Sequence, residues 1–252
     1  MTAESVRAIL EGRKTQTRRV VRFPDDHFFK GVTGQIQQHY EFKSAYPMPK
    51  CGFVFWSGDP GKEFSDLAYQ DSNDGFYCPY GKPGDRLWVR ETWRLGAWRE
   101  DGRMAIDYRA TPEITNTPWV ILQNDPDGEK FNRYWMQASD ELEEKGIQPG
   151  VDDFYHWEPG QAPLRWHSGR FMQRSFARLI LEITEIGVQR VQAISGYDAC
   201  AEGIVAPDAG GPVSHYRDVW DRINAKRGYP WDLNPWVWVI KFKLVNQNKD
   251  AL

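Results

Sequence analysis

Apolar and polar residues alternate regularly in only part of this chain, and the regular stretches outline its elements. Val6, Ile9 and Leu10 share one face of a helix predicted over residues 3–11, and Gly12 is the residue type that ends helices in the left-handed conformation. The turn dipeptide Pro83-Gly84 opens a strand predicted to run to Trp93, with Leu87, Val89 and Glu91 on one face and Trp88, Arg90 and Thr92 on the other. Residues 178–188 are rich in β-branched and apolar side chains and read as a strand buried along at least one face. A short helix follows, with Ser195 as its N-cap and Gly203 as its stop. Tyr216, Val219, Trp220 and Ile223, spaced three and four apart, predict a helix over about 213–226, and residues 235–243 alternate as a final strand.

Between these lie two stretches without sustained periodicity. Residues 23–80 are Gly- and Pro-rich and read as loops and short strands. Residues 95–165 read as irregular, apart from a strand near Met104–Arg109 and an acidic run, Asp140 to Glu144. Strands flanking short helices without regular βαβ alternation predict an α+β fold built on a mostly antiparallel sheet or barrel. The whole of 1–252 is expected to be a single domain carrying two long insertions, at about 23–80 and 95–165.

Composition narrows the function classes. A net charge of −3, from 32 basic and 35 acidic residues, argues against a protein whose main work is coating duplex DNA, which requires many neutralised phosphates. Local clusters survive that objection: Arg13, Lys14, Arg18, Arg19 and Arg22 form one, and Arg165, Arg170, Arg174 and Arg178 another. The 12 Trp, 11 Tyr and 13 Phe suit either base stacking or core packing. Three cysteines without C-x-x-C spacing and five scattered histidines give no disulfide framework and no metal-ligand pattern, so no metal is expected. No apolar run approaches the roughly 18 residues of a membrane span, and no charged segment followed by an apolar stretch marks the N-terminus. A cytoplasmic location without membrane association is expected; the oligomeric state is left open.

Chemistry concentrates where the first helix ends. In Gly12-Arg13-Lys14-Thr15-Gln16-Thr17, an amine and a hydroxyl lie three residues apart, and a turn just after the helix would let Lys14 and Thr17 line one pocket. The same residues also fit an exposed lysine and a strand-forming threonine. Glu202 falls on the last turn of its short helix, the unfavourable end of the helix dipole for a carboxylate, which favours a proton-donating role, though the same position also fits an exposed helix-end glutamate. Glu91 ends an otherwise apolar strand face, as a rim residue or part of a pocket.

Four stretches in order resemble the ASCH family of PUA-like β-barrel domains, and the larger phage and prophage members in particular. They are Leu10 to Arg19, Pro83 to Glu91, Leu181 to Thr184 followed by Ala201 to Ile204, and Trp236 to Phe242. The resemblance implies a PUA-like mixed β-barrel with flanking short helices. Small bacterial members hydrolyse N4-acetylcytidine with a lysine, a threonine and a glutamate, and their G-x-K-x-x-T pattern falls on Lys14 and Thr17, with the glutamate on Glu202. By that resemblance Lys14 accepts a proton, Thr17 attacks the acyl carbonyl and Glu202 protonates the departing amine. Arg19 is then a candidate for charge stabilisation or nucleotide contact, and Trp88, Arg90 and Glu91 are candidates for substrate binding. The small members have no counterpart to either insertion.

The expected function is a metal-independent amidohydrolase, with no organic cofactor, acting on an N4-acylated cytidine-type nucleoside or related modified nucleotide. The alternative is an RNA or modified-nucleic-acid binding module, or a ribonuclease, using the same pocket, with Trp88, Trp93 and Trp166 stacking on bases of single-stranded RNA. A third reading is a phage accessory protein that binds a host protein through its insertions.

Overall fold

A computed structural model of the 252-residue chain describes residues 1–22, 78–112, 119–122, 124–206 and 210–245, with the backbone of four two-residue strands between 40 and 77. The elements in chain order are α1 (Ala3–Leu10), β1 (Gln16–Val20), β2 (Tyr40–Glu41), β3 (Gly52–Phe53), β4 (Trp56–Ser57), β5 (Phe76–Tyr77), β6 (Arg86–Trp88), β7 (Trp93–Trp98), β8 (Arg103–Tyr108) and β9 (Trp119–Ile121). They continue with α2 (Glu129–Glu144), β10 (Ile180–Arg190), α3 (Gly196–Ala201), α4 (Gly211–Asn224) and β11 (Trp236–Val245), several 3-10 turns lying between. The fold is α+β, with an antiparallel sheet curled as a half-barrel. The chain forms two compact units, one of Met1–Glu11, Trp88–Ile180 and the C-terminal residues, the other of Gly12–Leu87 and Leu181–Leu244.

The second unit carries the half-barrel, in strand order β1-β11-β10-β6. Strand β11 is buried on both faces, because its two alternating sets of side chains serve two cores. Trp236, Trp238 and Ile240 join Val21, Cys78 and Ile183, with Leu87 packed against them. Val237 and Val239 face the other way and pack with Tyr216, Trp220 and Trp231 of the helical layer. The three strands expected from Leu87, Ile183 and Ile240 therefore share one sheet and one core. β1 joins the edge in antiparallel register, Thr17 opposite Ile240 and Arg18 opposite Val239. β2 pairs with β4 and β3 with β5; the rest of the expected loops of 23–80 lie outside the described residues up to Tyr77.

Most of the first unit comes from the stretch expected to be irregular. β7, β8 and β9 form an antiparallel sheet, and α2 packs its Ala138 and Leu142 into a core with Trp93, Met104, Ile106 and Phe176. The acidic run ends this 16-residue helix. Its stripe is hard to see in sequence because Trp135 and Met136 are exposed beside it and Gly128 provides no side-chain cap. The strand predicted to Trp93 is also interrupted: β6 ends at Trp88, with one further bond from the Val89 N–H to the Leu179 carbonyl at 2.9 Å, and β7 begins at Trp93 in another sheet. Gly169 lies so close to the Glu91 carbonyl that a Cβ there would stand 2.9 Å from the oxygen. Between the two strands, Glu91 is 1% exposed and is held by Arg178 through two hydrogen bonds of 2.9 and 2.8 Å.

Many of the aromatic residues are core. Trp93 stacks on His167 with ring centroids 4.8 Å apart and touches Phe176 and Tyr134. Its indole Nε1 is buried without a hydrogen-bond partner, which costs about 1–3 kcal/mol and is offset by the apolar contacts around the ring.

Candidate functional site

Gly12 takes φ = +72° just past the α1 C-cap, as the sequence led us to expect, and turns the chain toward β1. Before β1 begins, the extended backbone at Lys14 and Thr15 is gripped from two sides. Lys14 forms an isolated antiparallel bridge with Glu202, and the Thr15 N–H donates to the Ala201 carbonyl at 2.9 Å. On the other side, the Phe242 N–H donates to the Thr15 carbonyl at 2.8 Å. Lys14 is thereby fixed between the end of α3 and the edge of β11.

Helix α3 is only six residues long and is held by its ends. Ser195 and Asp198 form a capping box, Glu202 is the C-cap, and Gly203 follows at φ = +88°. Asp198 and Glu202 are four apart, so both carboxylates stand on the face toward β1.

Glu202 is the hub. Lys14 Nζ donates to its backbone carbonyl at 2.6 Å and to Oε2 at 3.0 Å, while Arg18 donates to Oε1 at 3.1 Å. The side chains of Lys14, Glu202 and Arg18 are 7%, 6% and 1% exposed. Arg18 also reaches Asp198 Oδ2 at 3.4 Å, and Gln16 donates to the Asp198 carbonyl and Oδ1 at 3.0 and 3.2 Å. The Gln189 amide, oriented to satisfy its neighbours, accepts from Arg18 Nε and NH2 at 3.0 and 2.6 Å. Two cations and two anions thus form a compensated network at one edge of the helical layer.

The electrostatics lower the proton affinity of Lys14. Burial pushes its pKa below the usual 10.5, against the opposing pull of Glu202, and the charges of Arg19 and Arg18 push the same way as burial. Asp198 is held below the usual carboxylate range: burial opposes this, but hydrogen bonds from Ser195 and Gln16 and the charge of Arg18 prevail. Burial, then the charge of Glu202, raises the Tyr216 hydroxyl well above 10.0. An amine that is buried and easily deprotonated, bonded to a carboxylate, can take a proton and pass it on.

The structure brings Lys14 and Glu202 together. It does not join Thr17 to them by a hydrogen bond. Within β1, Gln16 and Arg18 reach α3, whereas Thr17 alternates to the face of its partner Ile240 and is 8% exposed. Arg19 is exposed and donates to the Arg18 carbonyl at 3.3 Å. At this helix end the Glu202 carboxylate accepts hydrogen bonds from both Lys14 and Arg18. Asp198, Gln16 and Gln189 were not singled out from sequence as partners of this site, and Arg18 was expected only as one of the cations around Lys14. The i,i+4 spacing of Asp198 and Glu202 against Gln16 and Arg18 at i,i+2 is the signal that pairs them.

Trp88, Arg90 and Glu91 belong to the first unit. Arg90 lies over the Trp88 ring at 4.5 Å, and Glu91 is consumed by Arg178, which also donates to the Thr111 hydroxyl at 2.8 Å and covers the Tyr108 ring at 4.0 Å. Of the other aromatics considered for stacking on bases, Trp93 is core and Trp166 already carries Arg94 at 4.3 Å. The arginine cluster loses Arg178 to this internal pair, and Arg165 engages Glu141 at 3.7 Å.

Among the described residues, no cluster of His, Cys, Asp and Glu could hold a metal, and no helix is long and apolar enough to cross a membrane. No protein-family model, no curated protein and no solved structure matches the chain.

Proposed function

We propose that the chain is an amidohydrolase of the ASCH, PUA-like type that removes an acyl group from the exocyclic N4 of a cytidine-type nucleoside or related nucleotide. One observation carries the reading: a buried lysine whose pKa is depressed by burial, bonded to a glutamate carboxylate at 3.0 Å. The ordered resemblance of the four stretches supplies the substrate class. In the reaction, the Thr17 oxygen forms a bond to the acyl carbon as its proton moves to neutral Lys14. Lys14 passes that proton to Glu202 Oε2, and Glu202 delivers it to N4 as the C–N bond breaks. Water then cleaves the acyl-threonine ester, releasing the carboxylic acid and restoring the hydroxyl. In this route Glu202 receives from Lys14 the proton that it delivers to N4. The route requires substrate binding to reorient Thr17, which in this structure lies beside Ile240 on the face of β1 opposite the side chains of Gln16 and Arg18.

The test is release of acetate from N4-acetylcytidine by purified protein without added metal, with trapping of an acetyl adduct at Thr17 in quenched reactions. Activity without that adduct, retained in Thr17→Ala, would replace the threonine by a water molecule as nucleophile. Inactivity on every acylated cytidine, cytosine and deoxycytidine offered would turn the reading toward a binding module.

A further inference from the structure

Arg18 carries the part of this site that the resemblance leaves unassigned. It is the most deeply buried charged side chain of the network, at 1% exposure, and no solvent is available to satisfy its donors. Each edge of the guanidinium therefore has a protein partner: NH1 meets Glu202 Oε1, NH2 meets Asp198 Oδ2, and Nε with NH2 meets the Gln189 amide oxygen. The Tyr216 ring lies 6.0 Å from its central carbon. Desolvating an arginine this fully is expensive, and an apolar residue would serve stability as well or better. What an apolar residue could not do is fix the orientation of a carboxylate.

We infer that Arg18 is the positioning residue of the proposed reaction, holding the Glu202 carboxylate so that Oε1 is occupied and Oε2 is the oxygen presented to Lys14 Nζ. The inference rests on the amidohydrolase reading for its chemistry, and on the contacts alone for its geometry. Only a planar fork with several donors in fixed directions bridges both carboxylates of α3 at once. The anchor on Asp198 matters because Asp198 is itself locked by Ser195, whose hydroxyl donates to Oδ2 at 2.9 Å. The N-terminal cap of α3 thereby braces the carboxylate at its C-terminal end through Arg18. Arg18 also faces Lys14 electrostatically, together with Arg19, and both favour the neutral amine. Without Arg18, Glu202 is free to pair more closely with Lys14, and the amine holds its proton to higher pH.

Arg18→Lys and Arg18→Gln in the full-length protein test this through three readouts: near-UV circular dichroism for the fold, steady-state kinetics with N4-acetylcytidine, and carbon-13 NMR titration of the Lys14 side chain, assigned by its loss in Lys14→Met. Arg18→Lys keeps the charge and loses the fork, so kcat should fall about 100-fold with KM little changed, as for misplacement of a reacting group by about 1 Å. Arg18→Gln loses both, so the Lys14 midpoint should move up toward 10.5. Folded variants with wild-type kcat or an unmoved Lys14 midpoint would overturn the inference and leave Arg18 a structural residue. If the wild-type protein releases no acetate, the amidohydrolase reading fails by itself. The NMR arm then still decides the geometric part: in Arg18→Lys, which keeps the charge and loses the fork, a displaced Lys14 midpoint upholds the hold on Glu202 and an unchanged one overturns it.

Discussion

Lys14 Nζ binds Glu202 twice, donating to its backbone carbonyl at 2.6 Å and to its side-chain Oε2 at 3.0 Å. The backbone contact ties the amine to the end of α3 whatever the carboxylate does. In the proposed reaction the side-chain contact could then exchange a proton without loss of register.

Breaking that pair from one side should be harmful to stability as well as to chemistry. Lys14→Met leaves the buried carboxylate with Arg18 alone, and Glu202→Gln leaves both Lys14 and Arg18 without this carboxylate; each is expected to destabilise, by up to about 3–5 kcal/mol where a buried charge is left uncompensated. The double variant, which removes both charges, should lose less than the sum of the singles. Urea denaturation of the four proteins checks this, and strict additivity would show that the two residues are not coupled.

The depressed pKa of Lys14 has a signed consequence for stability. Between its lowered folded value and 10.5, the unfolded chain holds a proton that the folded chain has released, so the contribution of Lys14 to stability rises with pH across that window and is least below it. The midpoint of urea unfolding followed from neutral to alkaline pH should show this rise in the wild-type protein and lose it in Lys14→Met. The limb of acetate release that depends on a neutral Lys14 should rise with pH in the same direction.

Gly12 has open space where a Cβ would be, so its role is conformational. Gly12→Ala meets no clash but must hold φ near +72°, at a cost of about 1–2 kcal/mol. Chemical denaturation measures that loss. A neutral substitution would mean that the approach to Lys14 does not depend on the left-handed turn.

In the first unit, Glu91, a candidate for substrate binding by the resemblance, forms a buried pair with Arg178 of the second arginine cluster. Arg178→Met should lower stability by about 3–5 kcal/mol, because Glu91 is left 1% exposed and without its counter-charge. Arg178→Lys should restore only part of that, having no fork to bind both oxygens. The same internal use of Arg178 predicts negligible binding of single-stranded RNA at physiological salt. Fluorescence anisotropy across a salt series checks it, and micromolar affinity with a log–log slope near −0.7 per phosphate contact would contradict it.

Local signals were readable wherever one residue type satisfied one local demand. Gly12 at the end of α1, Ser195 at the start of α3 and the double alternation of β11 all rest on backbone geometry that neighbouring residues determine. Helix α2 was hidden because its buried stripe is narrow, Ala138 and Leu142 alone being fully buried, and its last turn is acidic. Arg18 was legible only as one of the cations around Lys14, and its burial against two carboxylates was hidden for a different reason. In a run of basic residues it looks like solvated surface, and the carboxylates that draw it inside lie 180 and 184 residues further along. The break after Trp88 likewise depends on Gly169 and Arg178, which no local pattern near Glu91 announces.

The most direct test of a buried lysine base in acyl transfer is the rate of acetate release from N4-acetylcytidine by wild-type protein and by Lys14→Met of confirmed fold. The expected result is metal-independent turnover by the wild type and a loss of several orders of magnitude in the variant, since a coupled base and nucleophile act as a unit. Turnover by Lys14→Met at or near the wild-type rate would contradict it.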